Sequence, residues 1–423
     1  MVYVLDIDGK PLMPTKRHYR VRQLLRHGEA VVVCAYPFTI RLTTEKIRFT
    51  QHVNLGIDSG TRHIGVSATT CNDTLYSAEA ILRKDISDLI ATRREQRRTR
   101  RNRLRYRPAR FNNRTATKKD SWLPPSTLNK VAFHSKVIKY VRSFLPISKV
   151  VIEITPFDTQ KLSNPDIEGE QYQHGEQEGY GNVREYVLWR DGHQCQYCHG
   201  KSGDNVLQVH HIESRKTGGN APNNLITLCK TCHERYHRGE IELSVKRGKS
   251  LRDASVMNVI KNRLYETVKA DNPDIEVRYT YGYRTKEVRI TNGLPKSHII
   301  DARVISGNVH AKESNEVWEL TQVRRHNRQI HKANICKGGK LKRNQSEYCV
   351  KGYRLWDLVR YKGGLWLIKG KRSSGYFSIV STDDANTKND SVSYKKLKLV
   401  SVSNRLRKIR VKALSEGVIP PLN

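Results

Sequence analysis

Residues 53–69 read VNLGIDSGTRHIGVSAT. Val53, Leu55 and Ile57, and then Ile64, Val66 and Ala68, recur at the period of two that a strand imposes by pointing successive side chains to opposite faces. Between the two runs, Asp58-Ser59-Gly60-Thr61 is made of turn-forming residues, so the stretch predicts two strands joined by a reversal with Asp58 at a strand end. Toward the N-terminus, the apolar runs Tyr3–Ile7 and Ala30–Ala35 flank a basic helical stretch, Arg17–His27, and predict a small α+β unit. Toward the C-terminus, Arg83–Arg110 is dense in arginine. Arg93, Arg94, Arg97, Arg98, Arg100, Arg101, Arg103 and Arg105 lie in a segment without Pro or Gly, a helix with no apolar face broad enough to pack alone.

Further along, Thr127–Leu145 has helical periodicity in Val131, Val137, Ile138 and Val141, and Val150–Ile154 reads as a buried strand containing Glu153. A carboxylate in such a strand needs a reason, because burying it uncompensated is costly. Polar residues Ser163–Gly181 form a linker to a compact cysteine- and histidine-rich insertion, Arg184–His237. Asp253–Lys269 reads as helix, Val277–Thr291 as strand, and Lys296–Asn308 as helix with His298 and Asp301 one turn apart. Beyond about Ala311, Leu355–Arg360, Leu365–Lys369 and Tyr376–Val380 predict a small β-rich module.

Lys and Arg number 77 against 41 Asp and Glu, a formal charge of +36, and so large an excess calls for a polyanionic partner. No apolar run approaches the ~18 residues that cross a bilayer, and the start lacks the basic and apolar regions of a signal peptide, so neither membrane insertion nor export is expected. Four of eight cysteines form two CxxC pairs, Cys195/Cys198 and Cys229/Cys232, and this paired spacing in a reducing cytosol points to a structural Zn2+ held by four thiolates. Cys34, Cys71, Cys336 and Cys349 are scattered, and they receive no chemistry; neither do His63 and His134.

Asp58, Glu153 and Asp301 lie far apart in sequence but each in an apolar setting that points toward a common core. Converged carboxylates bind Mg2+, and two such ions can clamp the attacking and leaving oxygens of a phosphoryl displacement. His298 would share a helical face with Asp301 and could position the water.

Between the CxxC pairs stand Val209-His210-His211-Ile212 and Asn223-Asn224-Leu225, followed by His233 and His237. This combination resembles the HNH endonucleases. The resemblance implies a ββα-metal unit with His211 as general base, His210 and Asn224 holding Mg2+ (with Asn220 and Asn223 competing for the Asn224 role), and His233 as the final H of the name. The segments GIDSGTRHIG, VVIEIT and HIIDA resemble the three split motifs of RuvC nucleases, members of the RNase H-like superfamily.

Pro11-Leu12-Met13-Pro14 and Trp122-Leu123-Pro124-Pro125 extend the likeness, and the whole resembles the IscB family of RNA-guided nucleases, ancestor-like relatives of type II CRISPR effectors. The resemblance implies an α/β multidomain protein whose RNase H-like (RuvC) core is split by an Arg-rich bridge helix and an inserted HNH domain. It gives a PLMP domain at 1–52, RuvC segments at 53–82, 116–162 and 246–310, a bridge helix at 83–115, an HNH domain at 163–245 and a target-interaction domain at 311–423.

Implied cofactors are Mg2+ or Mn2+, structural Zn2+ and an omega guide RNA. Implied partners are that RNA and double-stranded target DNA, bound by a monomeric protein in the prokaryotic cytoplasm near the nucleoid, with HNH cutting the guide-paired strand and RuvC the displaced one. Two other readings stand beside it. One is a homing-type or junction nuclease with no guide, against which the arginine helix and the PLMP segment argue. The other is an RNA-guided binding protein that has lost cleavage, against which the complete set of catalytic residues argues.

Overall fold

A computed structural model of the chain describes residues 1–45, 49–104, 122–156, 176–214, 219–248, 251–314, 316–324, 347–382 and 387–412, with isolated positions 160, 162, 164 and 168. It is a mixed α/β, multidomain protein that divides into one unit of residues 1–156 with 256–423 and a second of residues 157–255.

The first unit opens with β1 (Val2–Leu5), β2 (Pro11–Thr15), α1 (His18–Arg26), β3 (Ala30–Ala35) and β4 (Phe38–Leu42), a four-stranded sheet in the order β2-β1-β4-β3. The PLMP residues form edge strand β2, the place where prolines without an N–H are tolerated. Then come β5 (Asn54–Asp58), β6 (His63–Thr69), β7 (Thr74–Ile81), the arginine helix α2 (Ile86–Leu104), α3 (Pro125–Arg142) and β8 (Lys149–Glu153). The second unit holds α4 (Val183–Arg190), β9 (Leu207–His211), β10 (Leu225–Cys229) and α5 (Lys230–His237). After it follow α6 (Arg252–Asp271), β11 (Glu276–Thr280), α7 (Gly282–Thr291), α8 (His298–Ile305) and β12 (Glu316–Gln322). Strands β13 (Leu358–Tyr361), β14 (Gly364–Lys371), β15 (Tyr376–Ser381), β16 (Lys388–Ser393) and β17 (Lys398–Ser401) make a separate sheet in the order β16-β15-β14-β13-β17, before β18 (Leu406–Lys412).

The largest sheet runs β11-β8-β5-β6-β7-β12-β18. Its centre is the antiparallel meander β5-β6-β7, and β8 and β11 add in parallel beside β5. Fully buried Leu55, Ile57, Ile64, Val66, Val137, Ile138, Val150, Ile152 and Ile260 place the core between this sheet and helices α3 and α6.

Two expectations change. Residues 282–291, expected to continue the strand from Val277 to Thr291, are helix; strand β11 stops at Thr280, and the chain turns at Tyr281, the N-cap of α7. The boundary expected at 311 does not separate a whole C-terminal module, because β12 pairs with β7 and β18 closes the same sheet through β12. Only β13–β17 stand as a separate sheet.

Helix α8 lies directly against β5 and β6 because two positions there lack a side chain. A Cβ on Gly56 would come within 1.9 Å of the Ala302 carbonyl oxygen, and one on Gly65 within 1.8 Å of the His298 carbonyl oxygen. Contacts that short cannot be relieved except by moving the helix. Ser297 caps its start by accepting from the Ile300 N–H, while at its other end Asn54 donates to the Ser306 carbonyl and Ser306 hydrogen-bonds Thr69. The helix is thereby pinned at both ends with His298 and Asp301 over the end of β5.

Candidate active sites and metal centres

In the first unit, three elements deliver one constellation. Asp58 ends β5, and Glu153 ends the adjacent parallel strand β8, where Ile57 and Ile152 are register partners. Helix α8 adds His298, whose Nδ1 lies 2.6 Å from Asp58 Oδ2, and Asp301. Burial, and then the Asp58 charge, raise the pKa values of the Glu153 and Asp301 carboxyls above those of ordinary carboxyls. The Asp58 hydrogen bond outweighs burial at His298 and raises its pKa, favouring the imidazolium. Three acids crowded together in this way are short of positive charge.

Helix α7, which periodicity alone misread, supplies partners that sequence reasoning missed. Thr285 donates to Glu153 Oε2 at 2.8 Å, and Thr155 donates to Oε1 at 3.0 Å. Arg289 Nε lies 3.0 Å from Asp301 Oδ1 as an ion pair, yet without hydrogen-bond alignment, so Asp301 Oδ1 remains buried with no hydrogen-bond partner among the described residues. An orphaned carboxylate oxygen beside two further acids fits a hard divalent cation. His63, given no role from sequence, pairs with Glu79 at 2.7 Å, and its ring lies parallel to that of His298 with centroids 5.6 Å apart. His134 is a buried core residue: Nδ1 is hydrogen-bonded to the Lys130 carbonyl, and burial depresses its pKa to about 4.

The second unit is built around the hairpin β9-β10 and helix α5, a ββα arrangement. Pleating sends His210 inward and leaves His211 more open, while His233 and His237, four residues apart, share a face of α5. Ring nitrogens of His210, His233 and His237 all lie within 4.8 Å of one another, and those of His233 and His237 are 3.3 Å apart. Two imidazoles on one tetrahedral ion at ~2.0–2.1 Å stand about 3.3–3.4 Å apart. His210 Nε2 is buried and has no hydrogen-bond partner among the described residues, and burial followed by its histidine neighbours pushes its pKa down to about 4. A neutral buried imidazole of this kind is ready to ligate a metal.

Asn224, expected as a ligand, is committed elsewhere. It is fully buried, its Oδ1 accepts from the Glu213 N–H, and its Nδ2 donates to the Glu213 and Gly219 carbonyls, so it ties the loop to the hairpin. The ring nitrogen that stands beside those of His210 and His233 is that of His237, and the His-x3-His spacing on a helix is the sequence signal that could have found it. Asn220 accepts from His211 Nε2 at 3.0 Å, and both residues line a surface groove with His233.

The four paired cysteines converge as expected, with all sulfurs within 4.8 Å of one another and Cys198 and Cys229 3.8 Å apart. Sulfurs on a zinc ion at ~2.3 Å stand about 3.8 Å apart, so the donor set fits Zn2+. Burial opposes ionisation of Cys198, but hydrogen bonds led by Ser202 bring its thiol down to about 6, while burial and the neighbouring sulfurs raise Cys232. The sulfurs join Ile226, Leu228 and Ile241 in one small core. A Cys229→Ser, Cys232→Ser variant is expected to lose the folded state of residues 157–255 and all cutting by this unit, while the core around β5–β8 still melts cooperatively in calorimetry. Undiminished cutting by the second unit in that variant would remove zinc from the fold.

On α2, Arg93, Arg94, Arg97 and Arg98 are exposed, and no described residue of the helix is buried. Arg100, Arg101 and Arg103 continue it, although their side chains lie outside the described residues, as does Arg105 altogether. A helix of this kind offers guanidinium forks to phosphates without reading bases. Among the described residues no helix is long and apolar enough to cross a membrane.

Comparison with known proteins agrees with the second unit's chemistry. Residues 2–175 match the RRXRR protein family, and residues 195–239 match the HNH endonuclease family. A curated relative, anaredoxin from a Nostoc species, is 33% identical over 58 residues, covering 14% of this chain and 74% of its own.

Among solved structures, Streptococcus thermophilus Cas9 in complex with the GGAA PAM aligns at 13% identity and a TM-score of 0.32 over 50% of this chain and 30% of its own. The type II-C Cas9 of Actinomyces naeslundii aligns at 12% identity and a TM-score of 0.24 over 60% of this chain and 59% of its own. The chain thus spans 30% of the length of the first of these and 59% of the second. The hairpin and helix that bring His210, His211, His233 and His237 together fall within the residues that match the HNH endonuclease family, and this domain marks the protein as a metal-dependent nuclease.

Proposed function

We propose that the protein is an RNA-guided DNA endonuclease of the IscB family with a second, RuvC-type nuclease site in its first unit. The observation that carries the second site is the meeting of Asp58, Glu153, His298 and Asp301, residues far apart in the sequence, at one end of the central sheet. Mg2+ or Mn2+ fits the Asp58, Glu153 and Asp301 carboxylates. At His210, His233 and His237 the donors are all imidazoles, which favour a transition ion such as Mn2+ or Zn2+ over Mg2+ more than the expected asparagine ligand would. Divalent ions at both sites supply Lewis acidity toward phosphate oxygens.

The chain's own groups do the rest. With His211 Nε2–H turned to the Asn220 oxygen, the ring's lone pair is on Nδ1, the atom that takes a proton from the attacking water. Asn220 then fixes the tautomer rather than holding metal. In the first unit, Asp58 holds His298 in place, and Thr285 and Thr155 hold Glu153. The exposed arginines of α2 and the excess of positive charge support a guide RNA and a DNA target as partners. HNH would cut the guide-paired strand, and the carboxylate site the displaced one.

The test is to purify the protein from its native host, wash at high salt, and sequence the RNA retained. One discrete structured RNA with a variable end, which redirects cutting when that end is rewritten, is the expected result. Heterogeneous RNA or none would instead favour direct recognition of DNA by two nuclease sites.

A further inference from the structure

Beside the carboxylates runs an unassigned row of aromatic rings. Edge strand β11 and the first turn of α7 read Arg278-Tyr-Thr-Tyr-Gly-Tyr-Arg284, with a tyrosine at every second position. Their rings form a continuous line: Tyr279 and Tyr281 have centroids 5.6 Å apart, and Tyr281 and Tyr283 are stacked at 6.0 Å with planes 13° from parallel. Tyr279 is 47% exposed and Tyr283 62%, which is unusual for rings that could have been buried in the core nearby. The Arg284 guanidinium reaches over the Tyr283 ring, 5.8 Å from its centre, and its Nε donates to the Tyr283 hydroxyl.

The row is held against the carboxylates by Gly282. Thr280 is the register partner of Glu153, the Gly282 N–H donates to Thr155 Oγ1, and a Cβ at 282 would come within 2.8 Å of Glu153 Oε1. A side chain here would push the Thr155 hydroxyl and the Glu153 carboxylate out of place, and the close passage sets Tyr281 and Tyr283 on either side of the point of contact with Glu153.

Exposed rings in line, an arginine at their end and a basic chain together have a recognised use, because every unpaired base has a face that can stack on an aromatic ring. Paired bases, already stacked in a duplex, have none to offer. We propose that Tyr279, Tyr281 and Tyr283 are a stacking platform for unpaired bases of a single DNA strand whose phosphate lies at Asp58, Glu153 and Asp301. The tyrosines seat the strand, Arg284 contacts its phosphates, and the carboxylates meet the backbone between bases that the rings hold. This rests on the reading of the carboxylates as a nuclease site, but the contact can be tested without cutting.

The experiment uses the full-length protein carrying Asp58→Ala, irradiated with an oligothymidylate containing 5-iododeoxyuridine, with the crosslinked peptides mapped by mass spectrometry. Crosslinks at 279–283 are expected. They should fall about tenfold with Tyr283→Ala, the size of one lost stack, and persist with Tyr283→Phe, which keeps the ring. Because Tyr283 is exposed, neither change threatens the fold. Crosslinks confined to other segments, an unchanged yield with Tyr283→Ala, or equal yield from a duplex of the same sequence would each overturn the platform. A separate assay of the Asp58→Ala protein for displaced-strand cutting tests the nuclease reading, so the two failures stay distinct.

Discussion

An Asp58→Ala protein should cut one strand of a target and leave the other intact, so that a supercoiled plasmid ends as a nicked circle. Asp58 is the hinge of its site. It neighbours Glu153 across the parallel pair β5–β8, it accepts from His298 at 2.6 Å, and its charge is felt at Glu153, His298 and Asp301 alike. Removing it takes a ligand from any cation held there and releases His298 from the hydrogen bond that holds its ring. Loss of such charge stabilisation is worth several kcal/mol, on the order of 10³-fold or more in rate. The second unit is built from other residues on another hairpin and should be unaffected. Linear product formed at an undiminished rate would show that the four residues converge for some reason other than catalysis.

The converse change is His211→Ala, expected to abolish cutting by the second unit and leave the nick on the opposite strand. A positioned general base contributes roughly 10²–10⁴-fold, and His211, half-buried beside the groove, has its tautomer fixed by Asn220. His237→Ala should cost this strand a comparable factor by removing one of three imidazoles, whereas Asn224→Asp should disturb the loop between Glu213 and Gly219 more than the metal. Strand-specific product analysis with end-labelled DNA, across a titration of Mn2+, distinguishes these. Restoration of His237→Ala cutting by raised Mn2+, with no such rescue of His211→Ala, is the expected pattern. A His237→Ala protein with full activity at low metal would return the third ligand to another residue.

Much of this was readable in the chain, and the readable parts share a cause. Period-two alternation in residues 53–69 predicted strands that the structure has at Asn54–Asp58 and His63–Thr69, because the central strands of a sheet are chosen for burial and their pattern is local. The CxxC pairs were readable because metal geometry restricts spacing. Helix α7 was not, since Val288 and Ile290 alternate like a strand, and what decides its helix is the halt of β11 at Thr280 and the close pass of Gly282 by Glu153. Nor were β12 and β18, whose pairing is with each other and with β7, more than two hundred residues before β12. The placement of His237 and Asn224 was not legible for a related reason. An asparagine's amide serves a loop as readily as an ion, and only the loop's path through Glu213 and Gly219 tells which.

The glycines under α8 also carry a consequence for synthesis. The contact between Asp58 and His298 spans 240 residues, so a ribosome must make nearly three quarters of the chain before the carboxylate group can close. Until then β5 and β6 present bare backbone at Gly56 and Gly65, where a helix that does not yet exist is meant to lie. The ββα unit, whose own contacts are short-range, can fold and take up its metals well before that point. A nascent or truncated protein ending before residue 298 would therefore hold the ββα unit without the carboxylate cluster, which a single eight-residue helix completes.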